Sequence, residues 1–412
     1  MKLSKLAWRN LWRRKRRTMI TGFSIGFGVV LSVTFTGTGD YGYTNMINTS
    51  ATLGMGHVTI EPGGYNQTPS LDKRLRNVGQ IREYVLTMPG VKNAIVRIMG
   101  QAIFASASKT VGGMFLAIDP AQESAEQNLL LRSLVQGQLF PVADGRGAVI
   151  GKKMAKKLNL RIGKKLVYTT TDVNGEIVSE IARVVGIFKT GVNEVDGTTV
   201  LLPINRVRKT LRYDAQDATL VAVTINDQRY AERMRDKITA ELRNPLCEVL
   251  SWQQTQTELA SIITMDRIGN YISQVLIGLL IAAGILNTML MSVMERTREF
   301  GVMMAIGMSP KTLFKLVIVE SVCLALIGIV LGIIITAPWY AYLYYVGLDF
   351  SGAIGDDYSA GGILIDPLIK IRLYKESVIA ILTGVFILTL LSGLYPAWRA
   401  GRIPPVESLK TM

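Results

Sequence analysis

Apolar positions fall into two patterns along the chain. Four runs are long and nearly free of charge: 18–39, 268–294, 316–348 with only Glu320 inside, and 377–398. Each exceeds the ~20 residues a helix needs to cross the hydrocarbon of a bilayer, so each predicts a transmembrane helix. Between the first and second, residues 40–267 mix charges, Gly/Pro turns and apolar residues alternating with polar ones. That alternation predicts strands at 93–105, 114–118, 165–170, 177–187, 198–202 and 219–225, with a further short one in "EVLSW". Helical spacing predicts helices in "NVGQIREYVLTMPGV", ended by Pro89-Gly90, in "KKMAKKLNL" and in "DQRYAERMRDKITAEL". "DVNGE", Asp172 to Glu176, predicts a hairpin turn centred on Asn-Gly. From Gln253 a helical pattern runs into the second span without Gly-Pro punctuation, which predicts one continuous helix there.

The predicted fold class is an integral membrane α-helical protein, four transmembrane helices with a large α+β extracytoplasmic domain between the first and second spans. The expected divisions are an interfacial helix at 1–17, spans at 18–39, 268–294, 312–346 and 376–397, and the exported α+β domain, in two lobes, at 40–267. A short connection lies at 295–311, an outer loop at 347–375 and a tail at 398–412. In "LSKLAWRNLWRRKRR", Leu3, Leu6, Ala7 and Leu11 at helical spacing, with Trp8 and Trp12 one turn apart, predict a helix lying on the membrane surface.

Composition supports the membrane assignment, with 49% hydrophobic residues in 412. Charge sets the orientation. The N-terminal segment carries +8, residues 295–315 carry +2 and residues from Arg399 onward carry +2, together +12 of the formal +15. Lys and Arg mark the cytoplasmic side, so both termini are expected there, in the inner membrane, and the large domain outside. Positive-inside bias accounts for nearly all the basic excess, which leaves no call for nucleic-acid binding. The first run is longer than a signal-peptide core and "FTGTGDYGYT" lacks a small-x-small cleavage site, so it is expected to remain as an anchor. Cys247 and Cys323 fall in different regions, and no disulfide framework follows.

Candidate chemistry is sparse. His57 is the sole histidine, without a sequence cluster of ligands, and reads as a structural residue rather than a metal ligand. "SASK", Ser106 to Lys109, matches Ser-x-x-Lys but sits in a strand pattern. The sequence has no G-x-x-x-x-G-K-[ST], so no enzyme activity is expected and any ATP must be handled by a partner. Glu320, the one ionisable residue inside a span, is assigned a packing or hydrogen-bonding role near the inner interface. "GFSIG" (Gly22 to Gly26) and "GIVLG" (Gly328 to Gly332) fit small-xxx-small, open to either a subunit contact or a chance match. Trp339, Tyr340, Tyr342, Tyr344 and Tyr345 form an aromatic belt.

The segment "MERTREFGVMMAIGMSPKTLF" is too short and too charged to cross the bilayer. It predicts a short surface helix, charged at its start and apolar through Val302, Met303 and Ile306, ended by Gly307 and Ser-Pro. Such a helix suits a groove of a cytoplasmic protein, while a plain topology-fixing loop suits the residues as well. "NTMLMSVMERTREFGVMMAIGMSPKTLFKLVIVES" closely resembles the signature of FtsX-like and MacB-like ABC transporter permeases, whose E-R-x-x-E-[FI]-G-x-x-x-A-[IL]-G core forms the coupling helix on the ATPase. "YPAWRAGRIPPVESLK" resembles that family's closing motif. "GAVIGKKMAKKLNLRIGKKLVY", "VVGIFKTGVNEVD" and "GHVTI" look like the exported domain of its lipoprotein-releasing members.

The resemblance implies a coupling role for Glu295, Arg296, Arg298, Glu299, Phe300, Gly301, Met304, Ala305 and Gly307. It implies a cytoplasmic ABC ATPase dimer as partner, with ATP and Mg2+ bound there and no cofactor on this chain, and a second permease copy or paralogue. MacB proper carries a fused ATPase domain, and FtsX proper a smaller exported domain. The size here suits a lipoprotein-releasing permease of the LolC/LolE kind, which implies a lipoprotein substrate, a periplasmic acceptor or adaptor, and a lipid pocket at Phe23, Phe27, Val30, Ile272, Val275 and Leu279. Lipid-facing residues would read the same way. An FtsX-like signal transmitter and a MacB-like component of tripartite export remain as alternatives.

Overall fold

The computed structural model describes residues 3–242, 244–350, 352, 359–360, 363–364 and 368–402. It divides into two compact units: residues 1–42, 264–349 and 368–412 form the helical one, and residues 43–263 and 350–367 the other.

The helical unit holds α1 (Leu3–Arg13), most of α2 (Lys15–Ser50) and α3 (Thr257–Glu295), α4 (Thr297–Ala305), α5 (Pro310–Tyr345) and α6 (Lys375–Gly401). Of these, α2, α3, α5 and α6 are long and apolar enough to cross a membrane, as the charge-free runs predict. At 36 and 39 residues, α2 and α3 exceed what a span requires. Ser309 caps α5, its hydroxyl accepting from the Thr312 amide, with Pro310 at the first helical position where a missing N–H costs nothing.

The two small-residue motifs turn out to be halves of one contact inside the chain. A Cβ added to Gly26 would lie 3.1 Å from the backbone nitrogen of Gly332, and one added to Gly332 would lie 2.7 Å from the Cβ of Val29. The first and third spans therefore pack backbone to backbone, which only glycine permits. Neither motif is free for a subunit contact at these positions. The aromatic belt stacks on itself, Trp339 on Tyr342 at 6.1 Å and Tyr340 on Tyr344 at 6.0 Å.

The second unit is built on strands β1 (Val58–Pro62), β2 (Val91–Ala105), β3 (Thr110–Ile118), β4 (Leu134–Gly137), β5 (Gly147–Gly151), β6 (Lys165–Thr171), β7 (Ile177–Phe188), β8 (Thr199–Pro203), β9 (Leu220–Ile225) and β10 (Cys247–Ser251). Their order is β10-β1-β9-β2-β3-β8-β5-β7-β4, and β6 bridges β2 and β7. The 15-residue β2 pairs β9 through Val91–Arg97 and then β3 and β6 through its second half, so β2-β3-β8-β5-β7-β6 closes into a ring. Closure pairs each of these six strands on both sides, while β10 and β4 remain at the ends of the order. Inward side chains such as Phe104, Phe115, Leu166, Tyr168, Val184 and Val200 fill the core. Helices Val78–Leu86, Lys152–Leu158, Ile204–Leu211 and Ala231–Leu242 cover it.

Two expectations change. The helix entering the second span is not continuous from Gln253: a short helix Trp252–Thr255 ends at Gln256, which has φ −129° and ψ 63°, before α3 starts. The Gln256 side chain instead bonds Ser50, so a tertiary partner replaces the missing Gly or Pro as the breaker. "SASK" is the β2–β3 hairpin turn, with the Ser106 amide donating to the Lys109 carbonyl at 2.8 Å and the Lys109 amide to the Ser106 hydroxyl at 3.2 Å.

Candidate coupling site and span groove

The start of α4 is not a free charged patch. Arg296 sits at the break between α3 and α4 with φ −106° and ψ 12°. Its Nη1 donates to both oxygens of Glu320, at 2.9 and 3.1 Å, and its Nε to Glu299 Oε2 at 3.1 Å. Its guanidinium lies over the Phe300 ring at 4.9 Å. Asn10 Nδ2 completes the Glu320 carboxylate at 2.8 Å. The intramembrane carboxylate thus has a hydrogen-bonding role near one end of the third span, and the charge that answers it lies outside the spans.

Three further basic side chains reach the same segment: Arg13 donates to Glu299 at 3.2 Å, and Arg14 and Arg17 both hold Glu295. These three pairs are partly exposed, and such pairs contribute about 0–1 kcal/mol each. The Arg296–Glu320 pair has side chains only 8% and 6% exposed. Removing one partner of a buried pair costs about 3–5 kcal/mol. The buried pair therefore fixes α4 against α5, while Arg13 ties α1 to α4 and Arg14 and Arg17 tie the start of α2 to the end of α3.

Of the residues assigned to coupling, Arg296, Phe300 and Gly301 are buried in the chain's own core, and Glu295 and Glu299 are engaged by arginines. Arg296, Phe300 and Gly301 thus brace the segment from within, while Glu295 and Glu299, with side chains 38% exposed, stay accessible beside their arginines. Met304 is half-buried, while Arg298, Ala305 and Gly307 are exposed. Val302 and Ile306 complete that outward face, Ile306 being 82% exposed. Gly307, at φ +104°, turns the chain back toward α5 as the sequence predicts.

The partners that sequence reasoning passed over are Asn10, Arg13, Arg14 and Arg17. They straddle the turn at Arg14 between α1 and α2, and their i, i+3, i+4, i+7 spacing is a signal hidden when the N-terminal charges are counted only for topology.

A groove of about 450 Å³ opens between α2, α3 and α6. Ile25, Gly28, Val275, Gly278, Leu279 and Leu388 give it apolar walls. Thr36, Tyr271, Gln274 and Ser377 give it a polar end, where Gln274 donates to Thr36 at 3.0 Å and Ser377 to Asp40 at 2.7 Å. Val275 and Leu279 line it. Phe23, Phe27, Val30 and Ile272 do not, because they project from other faces of their helices. The fourth span, α6, also lines the groove, where only the first two spans were expected.

In the other unit, His57 is buried immediately before β1. Its Nδ1 accepts from the Ile225 amide at 3.2 Å, which places the proton on Nε2, 2.9 Å from Asn48 Oδ1. Burial pulls its pKa down to about 4. Both ring nitrogens are used in holding the strand entry, a structural role.

Comparison with known proteins decides the family. The MacB-like periplasmic core domain matches residues 18–241, more than half of the chain, and the FtsX-like permease C-terminal domain matches residues 271–405. The chain belongs to the FtsX/MacB-like ABC transporter permeases. The lipoprotein-releasing system transmembrane protein LolC of Xylella fastidiosa is 23% identical to the permease over 79% of each chain. An uncharacterized ABC transporter permease of Methanocaldococcus jannaschii is 23% identical over 98% of this chain and 96% of its own. The macrolide export ATP-binding/permease protein MacB of Shewanella oneidensis is 24% identical over 98% of this chain and 60% of its own. With four helices among the described residues long and apolar enough to cross a membrane, and a match to a periplasmic core domain, the permease is a multi-pass inner-membrane protein. The closing motif lies, from Ile403 onward, outside the described residues.

Proposed function

We propose that the permease draws lipid-anchored proteins from the outer leaflet of the inner membrane, driven by ATP that a separate cytoplasmic ATPase dimer hydrolyses. Both termini are then cytoplasmic and the large domain periplasmic. The ATPase engages the outward face of α4, Arg298, Val302, Ala305 and Ile306, and the buried Arg296–Glu320 pair passes its movement to the third span. The observation that carries the substrate reading is the span groove. It is mostly apolar, with Ser32 and Thr389 among its lining, and its polar side chains gather at the end formed by Thr36, Tyr271, Gln274 and Ser377, which suits an acyl chain with a headgroup, and the similarity to LolC supports it.

A photoreactive residue at Val275 or Leu388 should crosslink to acylated lipoproteins in native membranes, while one at Phe27, outside the groove, should not. Crosslinks to lipoprotein from neither groove position would reject release. Similarity to MacB over 98% of the chain favours export with a periplasmic duct as the second reading. Copurification of an adaptor without lipoproteins would then be expected.

A further inference from the structure

Beneath the ion pairs of α1 and α4 lies a cavity of about 40 Å³, bordered by α1, the start of α2, the end of α3 and α5. Its walls hold four guanidiniums, Arg13, Arg14, Arg17 and Arg296, against two carboxylates, Glu299 and Glu320. Both carboxylates are already satisfied. Glu320 accepts from Arg296 Nη1 and Asn10, and Glu299 accepts from Arg13 and Arg296 Nε. Glu295, just outside, takes Arg14 and Arg17.

Donors remain. The Nη2 atoms of Arg296 and Arg17 are buried with no acceptor, and the Arg296 side chain is only 8% exposed. A guanidinium has donors and no acceptor capacity, so a buried, unanswered N–H carries its full desolvation cost. An acceptor-rich anion would relieve both at once. Two guanidiniums converging on one small cavity match a phosphate oxyanion, whose several oxygens take such donors in parallel. The volume admits roughly three water-sized positions, room for the oxygens of a phosphate group while whatever carries that group stays outside the cavity.

The position narrows the source. The cavity lies where α1, with Trp8 and Trp12 exposed and meeting edge to face at 5.9 Å, turns into the first span. Exposed tryptophans and basic residues at a span's end mark headgroup depth. We infer that this cavity is a phosphate site, filled by the phosphodiester of a membrane lipid, and that the bound lipid ties α1 to α4. This inference does not depend on which substrate the permease carries.

The test is native mass spectrometry of the full chain in neutral detergent. The probes are phosphatidylglycerol, diacylglycerol with the same acyl chains, and inorganic phosphate. Phosphatidylglycerol should be retained and diacylglycerol lost. Arg17→Gln should weaken retention about tenfold, as expected for one charge-assisted hydrogen bond. Arg17→Lys, which keeps the charge but not the fork, should weaken it as well, and Lys5→Gln, outside the cavity, should leave it unchanged. Displacement of the lipid by inorganic phosphate would support the site and open it to either source; phosphate without effect would assign it to the lipid headgroup. Equal retention of diacylglycerol, or wild-type retention in both Arg17 variants, would overturn it.

Discussion

His57 and Glu61 are neighbours in sequence, both are sealed in the periplasmic core domain, and they pull its stability in opposite directions with pH. Burial raises Glu61 to about 7, helped by Glu248 directly opposite on β10 and opposed by the Asn66 amide. Between its ordinary value of 4.5 and about 7, the folded state keeps a proton that the unfolded state has released, so stability falls as pH rises through that window. His57, lowered to about 4, does the reverse: the unfolded state gains a proton first, and stability falls as pH drops from 6.5 toward 4. Glu61 Oε2 has no hydrogen-bond partner, so an amide fits there without losing one. Glu61→Gln should therefore raise the Tm of the full chain, followed by tryptophan fluorescence in detergent, by a few degrees at about pH 8, and the gap should close toward about pH 5. An equal gain at both pH values would contradict the assignment.

At the scale of elements, packing rests on contacts that allow no side chain. Gly332→Leu would drive a branched group into Val29 and part α2 from α5. It should sharply lower the yield of folded permease in size-exclusion chromatography. Gly269→Leu, in the second span with nothing within 4 Å of the added Cβ, should leave yield unchanged; equal loss in both would mean that the glycine contact is not what holds the spans. The spans were legible because charge exclusion from lipid is local to each run, and most strands because alternation is local to each strand. The β5 segment "GAVIG" was not, since all five residues are buried and no alternation marks it. The break at Gln256 and the arginine partners of Glu295 and Glu299 depend on residues more than two hundred positions away. The groove was half legible: Val275 and Leu279 follow from apolarity, but which face of a helix meets α6 is a tertiary fact.

Across the whole molecule, an ABC permease must link ATP hydrolysis by a partner to work at the other side of the membrane. Its charged connection is braced inward, by Arg296 on Glu320, by Arg13 of α1 on Glu299 and by Arg17 of α2 on Glu295, which leaves Val302, Ala305 and Ile306 outward. A braced helix transmits displacement; a free loop would absorb it. The measurement that tests this most directly is ATP hydrolysis by the complex recovered with the tagged chain in mild detergent from its native membrane, wild type against Ile306→Glu. The wild type should bring down an ABC ATPase and hydrolyse ATP, and Ile306→Glu, present in the membrane at the same level, should lose both. Full ATPase recovery and activity with Ile306→Glu, or no ATPase with the wild type, would contradict the account.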